Sequence, residues 1–232
     1  MIISSDILFY SLTGGIIPAL VWLMFWLRED SKRPEPRGRI IETFVAGMVA
    51  VILVIPFESW AQTLTHQQAP FVWWAVIEEM MKFLMAYFVA LRMKDDDEPI
   101  DSLIYMMTVA LGFAAIENAL FILQPLIHGN VPESFITGNI RFVGATLLHT
   151  ISSATIGVAM GLSFYRSKFT KQFALFVGLV IAIILHATFN FFIIKQSYSD
   201  VLATLGFVWI AIVILMLLFE KIKKIYPVNP IQ

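Results

Sequence analysis

Seven stretches of predominantly apolar residues fall near positions 7–27, 40–60, 71–91, 101–123, 139–165, 172–195 and 200–219. Each has roughly the 20 residues an α-helix needs to cross about 30 Å of hydrocarbon. Inside a bilayer every backbone amide and carbonyl must find its partner within the protein, so such a chain has few folds open to it. The expected fold is all-α, a multi-pass transmembrane helical bundle of about seven spans. Composition agrees: 59% of the 232 residues are hydrophobic and 14% are charged, more apolar surface than one water-soluble core can hide. The connections are short and carry turn residues, Arg33-Pro34-Glu35-Pro36-Arg37-Gly38 after the first stretch and Gln124-Pro125 after the fourth. Residues 1–232 therefore read as a single membrane domain. The first stretch follows Asp6 and no Lys or Arg, which is not the basic start of a secretory signal peptide; it is expected to stay as a helix.

Thirteen of the sixteen basic residues gather at positions 28–39, 92–94, 166–171 and 221–224. These are alternate connections, so the positive-inside rule puts all four clusters in the cytoplasm, the N-terminus outside and the C-terminus inside a cell membrane. The acidic run Asp95-Asp96-Asp97-Glu98 lies on the same side and weighs little in that rule. A net charge of −1 with no broad basic surface argues against a nucleic-acid partner. The absence of cysteine excludes disulfides, thiolate metal sites and a Cys nucleophile. Gly157 and Gly161 have the spacing of a close helix contact. Trp22, Trp26, Trp73 and Trp74, near the ends of stretches, suit interface anchors.

The informative residues are ionisable groups inside the apolar stretches. The third holds Glu78, Glu79 and Lys82, the fourth Glu117 and Asn118, the fifth His149, and the sixth His186 and Asn190. A charge at mid-bilayer costs about 2.5–3.5 kcal/mol or more unless compensated. Glu78 and Lys82, four apart with the acid first, are expected to pair; Glu79 has no such local partner. Counted from the outer end of each stretch, Glu78, Glu117, His149 and His186 lie about six to ten residues in, roughly 9–15 Å at about 1.5 Å per residue. Antiparallel helices bring all four to one level in the outer half of the membrane, as a shared buried cavity requires. Hydrogen bonds between membrane helices average only about 0.6 kcal/mol, too little to justify such a set for packing alone. His66, beside Gln67, and His128, beside Gly129, read as solvated loop residues, and Glu58 and Arg141 as interfacial charges near helix ends.

Adjacent carboxylates with two histidines suit hydrolysis, in which one Glu takes a proton from water while a neighbouring His or acid serves the oxyanion or leaving group. His149, His186 and Glu117 are candidate ligands for Zn²⁺ with an open position for water. A metal-free, glutamic-type mechanism uses the same residues. Two other classes share the features: a zinc-dependent membrane lipid amidase, and an ion or solute transporter, for which no inverted repeat is evident.

Glu78-Glu79-x-x-Lys82, Phe113-x-x-x-Glu117, His149 and His186-x-x-x-Asn190, in this order on successive stretches over roughly residues 70–195, resemble the PrsW intramembrane proteases. That family belongs to the wider superfamily of the CAAX prenyl proteases. The resemblance implies a catalytic core within 71–195, with Glu78 and Glu79 essential and one of them activating water. Glu117, His149 and His186 complete the site, and Asn190 supports an oxyanion or orients His186. The sequence departs from the CAAX pattern, with Phe83 at its Arg position and Glu117 in place of its His. The resemblance further implies a single-pass membrane protein as substrate, an anti-sigma factor cut on the extracytoplasmic side, with membrane lipid as the surroundings.

Overall fold

The computed structural model describes residues 4–29, 33–64, 70–194 and 198–226; His66, Gln67 and Lys32 lie outside them. Among the described residues all regular structure is helical. The elements are α1 (Ser5–Glu29), α2 (Arg37–Leu64), α3 (Pro70–Ala86), α4 (Asp101–Ile127), α5 (Val131–Val143), α6 (Ala145–Leu162), α7 (Lys168–Ile194) and α8 (Tyr198–Ile222). A π-helical turn, Tyr87–Leu91, prolongs α3.

Among the described residues six helical stretches are long and apolar enough to cross a membrane: Ser5–Glu29, Arg37–Thr63, Asp101–Ile127, Val131–Leu162, Lys168–Phe192 and Ala203–Ile222. The seventh predicted stretch is α3 with its π turn, shorter and interrupted by Glu78, Glu79 and Lys82. Its polarity is inverted relative to a helix of a soluble protein. Glu78, Glu79 and Lys82 are buried with Ala75 and Ala86, whereas Val72, Trp73, Met80 and Leu84 face outward. Charges turn inward because lipid offers them nothing and neighbouring helices offer partners.

α4 forms the axis of the bundle, in contact with α1, α2, α3, α5 and α6. It is buried on all sides over most of its length. Small residues let backbones approach it closely. A Cβ at Gly112 would collide with the Phe44 carbonyl of α2, and one at Gly157 of α6 would lie 2.5 Å from Leu103 Cα. The predicted contact at Gly157 and Gly161 is therefore made, against the start of α4. Trp26 is not an interface anchor: it is buried, with its ring 5.9 Å from Phe219 of α8, where protein contact covers more of the indole than a bilayer surface would.

The fifth stretch begins earlier than expected and is broken. α4 ends at Ile127, and Gly129, with a φ of +75°, turns the chain so that Asn130 N–H reaches the Pro125 carbonyl. Asn130 then caps α5 by accepting from the Glu133 N–H at 3.2 Å while its side-chain amide donates to the Glu133 carboxylate at 2.6 Å. At Gly144 the helix breaks between α5 and α6. Contacts between Ser134 and Ile122 and between Arg141 and Asn118 show α5 running antiparallel to α4.

The basic connections meet at one end of the bundle. Arg33 pairs with Glu98, Arg39 with Asp95 at 2.9 Å, and Lys223 lies 4.0 Å from Glu29.

Candidate active site

Four helices supply the ionisable set: α3 with Glu78, Glu79 and Lys82; α4 with Glu117; α6 with His149; α7 with His186. Helical spacing adds Phe113 one turn before Glu117 and Ser153 one turn after His149.

Lys82 does not pair chiefly with Glu78. Its Nζ donates to Glu79 Oε1 at 2.6 Å and lies 3.8 Å from Glu78 Oε2. A spacing of three brings Glu79 as near to Lys82 as a spacing of four brings Glu78. Two further contacts decide between them: Ser153 Oγ donates to Glu79 Oε2 at 2.8 Å and His186 Nδ1 meets Oε1 at 2.8 Å. Both oxygens of Glu79 are engaged, and Glu79 and Lys82 are 0% exposed. The ammonium also sits 4.6 Å above the Phe113 ring, a further source of compensation.

The partners fix the protons on both imidazoles. Lys82 has only donors, so His149 Nδ1, 3.1 Å from Nζ, accepts. The His149 proton is therefore on Nε2, which donates to Glu117 Oε2 at 2.7 Å. His186 Nδ1 faces the Glu79 carboxylate and carries its proton, which leaves a lone pair on Nε2. Those two lone-pair nitrogens, His149 Nδ1 and His186 Nε2, lie 3.8 and 3.7 Å from Glu78 Oε2. The rings stand nearly perpendicular with centroids 5.0 Å apart. Glu78 Oε2 is buried and has no hydrogen-bond partner.

Of the three acceptor atoms, His149 Nδ1 is met by the Lys82 ammonium, whereas Glu78 Oε2 and His186 Nε2 stand 3.7 Å apart with no hydrogen between them, an arrangement that a further cation would relieve in a low dielectric. Glu78, His149 and His186 offer one such atom each, all within 4.8 Å of one another. Two neutral imidazoles and a carboxylate form a donor set for a divalent metal. The far nitrogen of each imidazole rests on a carboxylate, Glu117 behind His149 and Glu79 behind His186, the outer support that metal-binding histidines use. A metal therefore fits these residues. In the predicted ligand trio the carboxylate was Glu117; Glu117 lies on the opposite ring nitrogen of His149, and Glu78 stands on the converging side. Asn190, one turn beyond His186, is half-buried and forms no hydrogen bond to these carboxylates or imidazoles.

Two residues read as interfacial belong to the same cluster. Arg141 of α5 donates through Nη2 to Glu117 Oε2 and through Nε to Asn118 Oδ1 at 2.7 Å, with its guanidinium 3.8 Å above the Phe121 ring. Glu58 of α2 lies beside Glu78, close enough for the two carboxyl groups to interact. The sequence holds one signal for each. Arg141 stands apart from the four basic clusters, eight residues before His149, and Glu58 is an acid at the uncharged end of its stretch. Among the described residues the carboxyl groups of Glu58, Glu78, Glu79 and Glu117 thus face Lys82 and Arg141, a balance that favours an added cation.

Residues 35–219 match the family described as PrsW family intramembrane metalloprotease. The chain is similar to the protease PrsW of Geobacillus kaustophilus, 25% identical over 197 residues that cover 82% of each protein. It is similar to that of Clostridioides difficile, 26% identical over 222 residues, 90% of this chain and 89% of the other. For Bacillus subtilis the identity is 26% over 201 residues, 82% and 85% of the two chains. No solved structure matches. Between peptide hydrolysis, lipid amide hydrolysis and transport, which the buried charges alone left open, the match decides for the first. A multi-pass bundle that buries two carboxylate-backed histidines around a third acid carries the chemistry that description names, and the chain belongs to the PrsW family of intramembrane metalloproteases.

Proposed function

We propose that this protease hydrolyses a peptide bond of a single-pass membrane protein within the outer half of the bilayer, and that the substrate is an anti-sigma factor. The buried set of Glu78, His149 and His186, whose ligand atoms lie within 4.8 Å of one another, is the observation that carries the reading. Two features support the location. The paired basic connections gather at the end of the bundle away from the site, and basic connections favour the cytoplasm. The N-terminus is accordingly outside and the C-terminus inside. The chain acts as one membrane domain.

Glu78, His149 and His186 would hold the metal, and Zn²⁺ is the ion this donor set suits. When bound, the ion supplies Lewis acidity toward a carbonyl and makes water a stronger acid. The side chains do the rest. Glu79 accepts a hydrogen bond from His186 Nδ1–H and faces the charge of Lys82, so His186 Nε2 faces inward. Glu117 does the same for His149. Glu58, beside Glu78, is placed to take up the proton released by water. Asn190, one turn beyond His186 on the same face of α7, would serve the developing oxyanion. Closely packed apolar walls exclude bulk water and strengthen each of these interactions.

The test is cleavage of a single-pass substrate by the purified protein in liposomes. Glu79→Gln and His186→Ala are each expected to lower the rate by about 100-fold or more. Wild-type rates in both variants, or turnover of lipid amides without peptide cleavage, would overturn the proposal.

A further inference from the structure

The contacts of Arg141 extend beyond a single ion pair. It lies in the last turn of α5, just before the break at Gly144, and its side chain is 15% exposed. Two networks meet on it.

The first spans the break. Arg141 Nε donates to Asn118 Oδ1 at 2.7 Å, the Asn118 amide donates to Thr146 Oγ1 at 2.8 Å, and the Thr146 hydroxyl donates to the Arg141 carbonyl at 3.1 Å. This closed ring has one member before the break, one after it and one on α4. It fixes the direction in which α6 leaves α5, and His149 follows Thr146 by less than one helical turn. The second network runs through the acid next to Asn118. Glu117 Oε2 accepts both from Arg141 Nη2 and from His149 Nε2–H. Two donors on one oxygen fix the carboxylate, and with it the plane of the imidazole.

We propose that Arg141 is a positioning residue of the hydrolytic site: through Glu117 and through the ring across Gly144, it fixes the His149 ring so that Nδ1, which meets Lys82, lies on the side of Glu78 and His186. The proposal rests on the reading of those three residues as the metal-holding set. Arginine is required because the planar guanidinium serves Glu117 and Asn118 at once from a fixed fork. A lysine reaches one of them. With neither, the Glu117 side chain, 19% exposed, is free to turn toward water, and His149 loses the acceptor that holds its proton on Nε2.

The experiment compares full-length wild type, Arg141→Lys and Arg141→Met in detergent by three readouts: Zn²⁺ affinity by titration, the ¹⁵N signature of the histidine rings, and kcat and KM on a single-pass substrate. Arg141→Met is expected to weaken Zn²⁺ binding by about 10- to 100-fold and to lower kcat more than it raises KM. The Nε2–H signature of His149 is expected to fade, and Arg141→Lys should recover part of each effect. Wild-type Zn²⁺ affinity and kcat in the Met variant would overturn the proposal. If the Met variant does not fold, wild-type affinity and kcat in folded Arg141→Lys would overturn it as well, since the two-pronged contact would then be dispensable. Should the wild type bind no Zn²⁺, the metal reading fails separately. The ring signature of His149 then decides alone, a loss in the variants supporting the positioning role and no change refuting it.

Discussion

A fully buried lysine in a lipid-bounded bundle persists only because its charge is matched, and Lys82 is matched by Glu79 at 2.6 Å. Removing one partner of such a pair leaves an uncompensated buried charge. Lys82→Met is therefore expected to cost about 3–5 kcal/mol, read as loss of thermal stability of the purified protein; unchanged stability would contradict the pairing. At the other end of the molecule Asp96, in the connection before α4, accepts from Ser102 Oγ at 3.0 Å. Burial raises its pKa from the ordinary 3.8 to about 7, with Asp101 adding to the rise and Ser102 and Lys171 opposing it. The folded state then binds a proton that the unfolded state has released, so Asp96 favours folding less as pH rises through this window. Asp96→Asn should flatten the fall in melting temperature between about pH 4 and pH 7; a fall as steep as in the wild type would contradict the assignment. Residues of the site differ in how visible they are before folding. Glu78, Glu79, Glu117, His149 and His186 stand out because each breaks an apolar stretch at a cost only function or pairing explains. Arg141 and Glu58 do not, because a charge near a helix end is cheap wherever it points, and only the packing of α2 and α5 turns them inward.

Among the elements, α4 does the most to assemble the site, since it places Glu117 and Asn118 while touching five other helices. Its close crossing with α2 depends on Gly112, where the nearest neighbour is the Phe44 backbone and not a flexible side chain. Backbone cannot retreat as a side-chain tip does, so Gly112→Val should prevent the two helices from closing. The expected result is loss of the folded bundle by thermal denaturation, with loss of cleavage; a variant as stable as the wild type would refute the crossing. The helices themselves are legible as apolar stretches of membrane length, and the contact of Gly157 and Gly161 as small residues four apart. The break at Gly144 is not. The run from 139 to 165 is predominantly apolar on both sides of Gly144, and what divides α5 from α6 is the ring joining Arg141, Asn118 and Thr146, which exists only once α4 lies alongside. The early start of α5 is not legible either, since it depends on the turn at Gly129 and on the Asn130 side chain capping the Glu133 N–H.

At the scale of the whole molecule the bundle is polar at its centre and apolar at its surface, with the basic connections tied together at one end. Levels counted along separate apolar stretches predict which side chains meet, because bilayer-spanning helices have a common frame and an almost fixed rise per residue. They do not predict which nitrogen of an imidazole faces inward, since that follows from partners on other helices. Those partners make Glu78, His149 and His186 converge as one set able to hold a metal, with Glu79 and Glu117 behind the imidazoles. X-ray absorption spectroscopy on purified protein loaded with Zn²⁺, with metal content measured in the same sample, tests it most directly. About one ion per chain, bound by two imidazole nitrogens and at least one oxygen at about 2.0–2.2 Å, is the predicted result, with one imidazole lost in His186→Ala. Full cleavage activity in a sample free of metal, or a bound ion whose surroundings are unchanged in His186→Ala, would contradict the account.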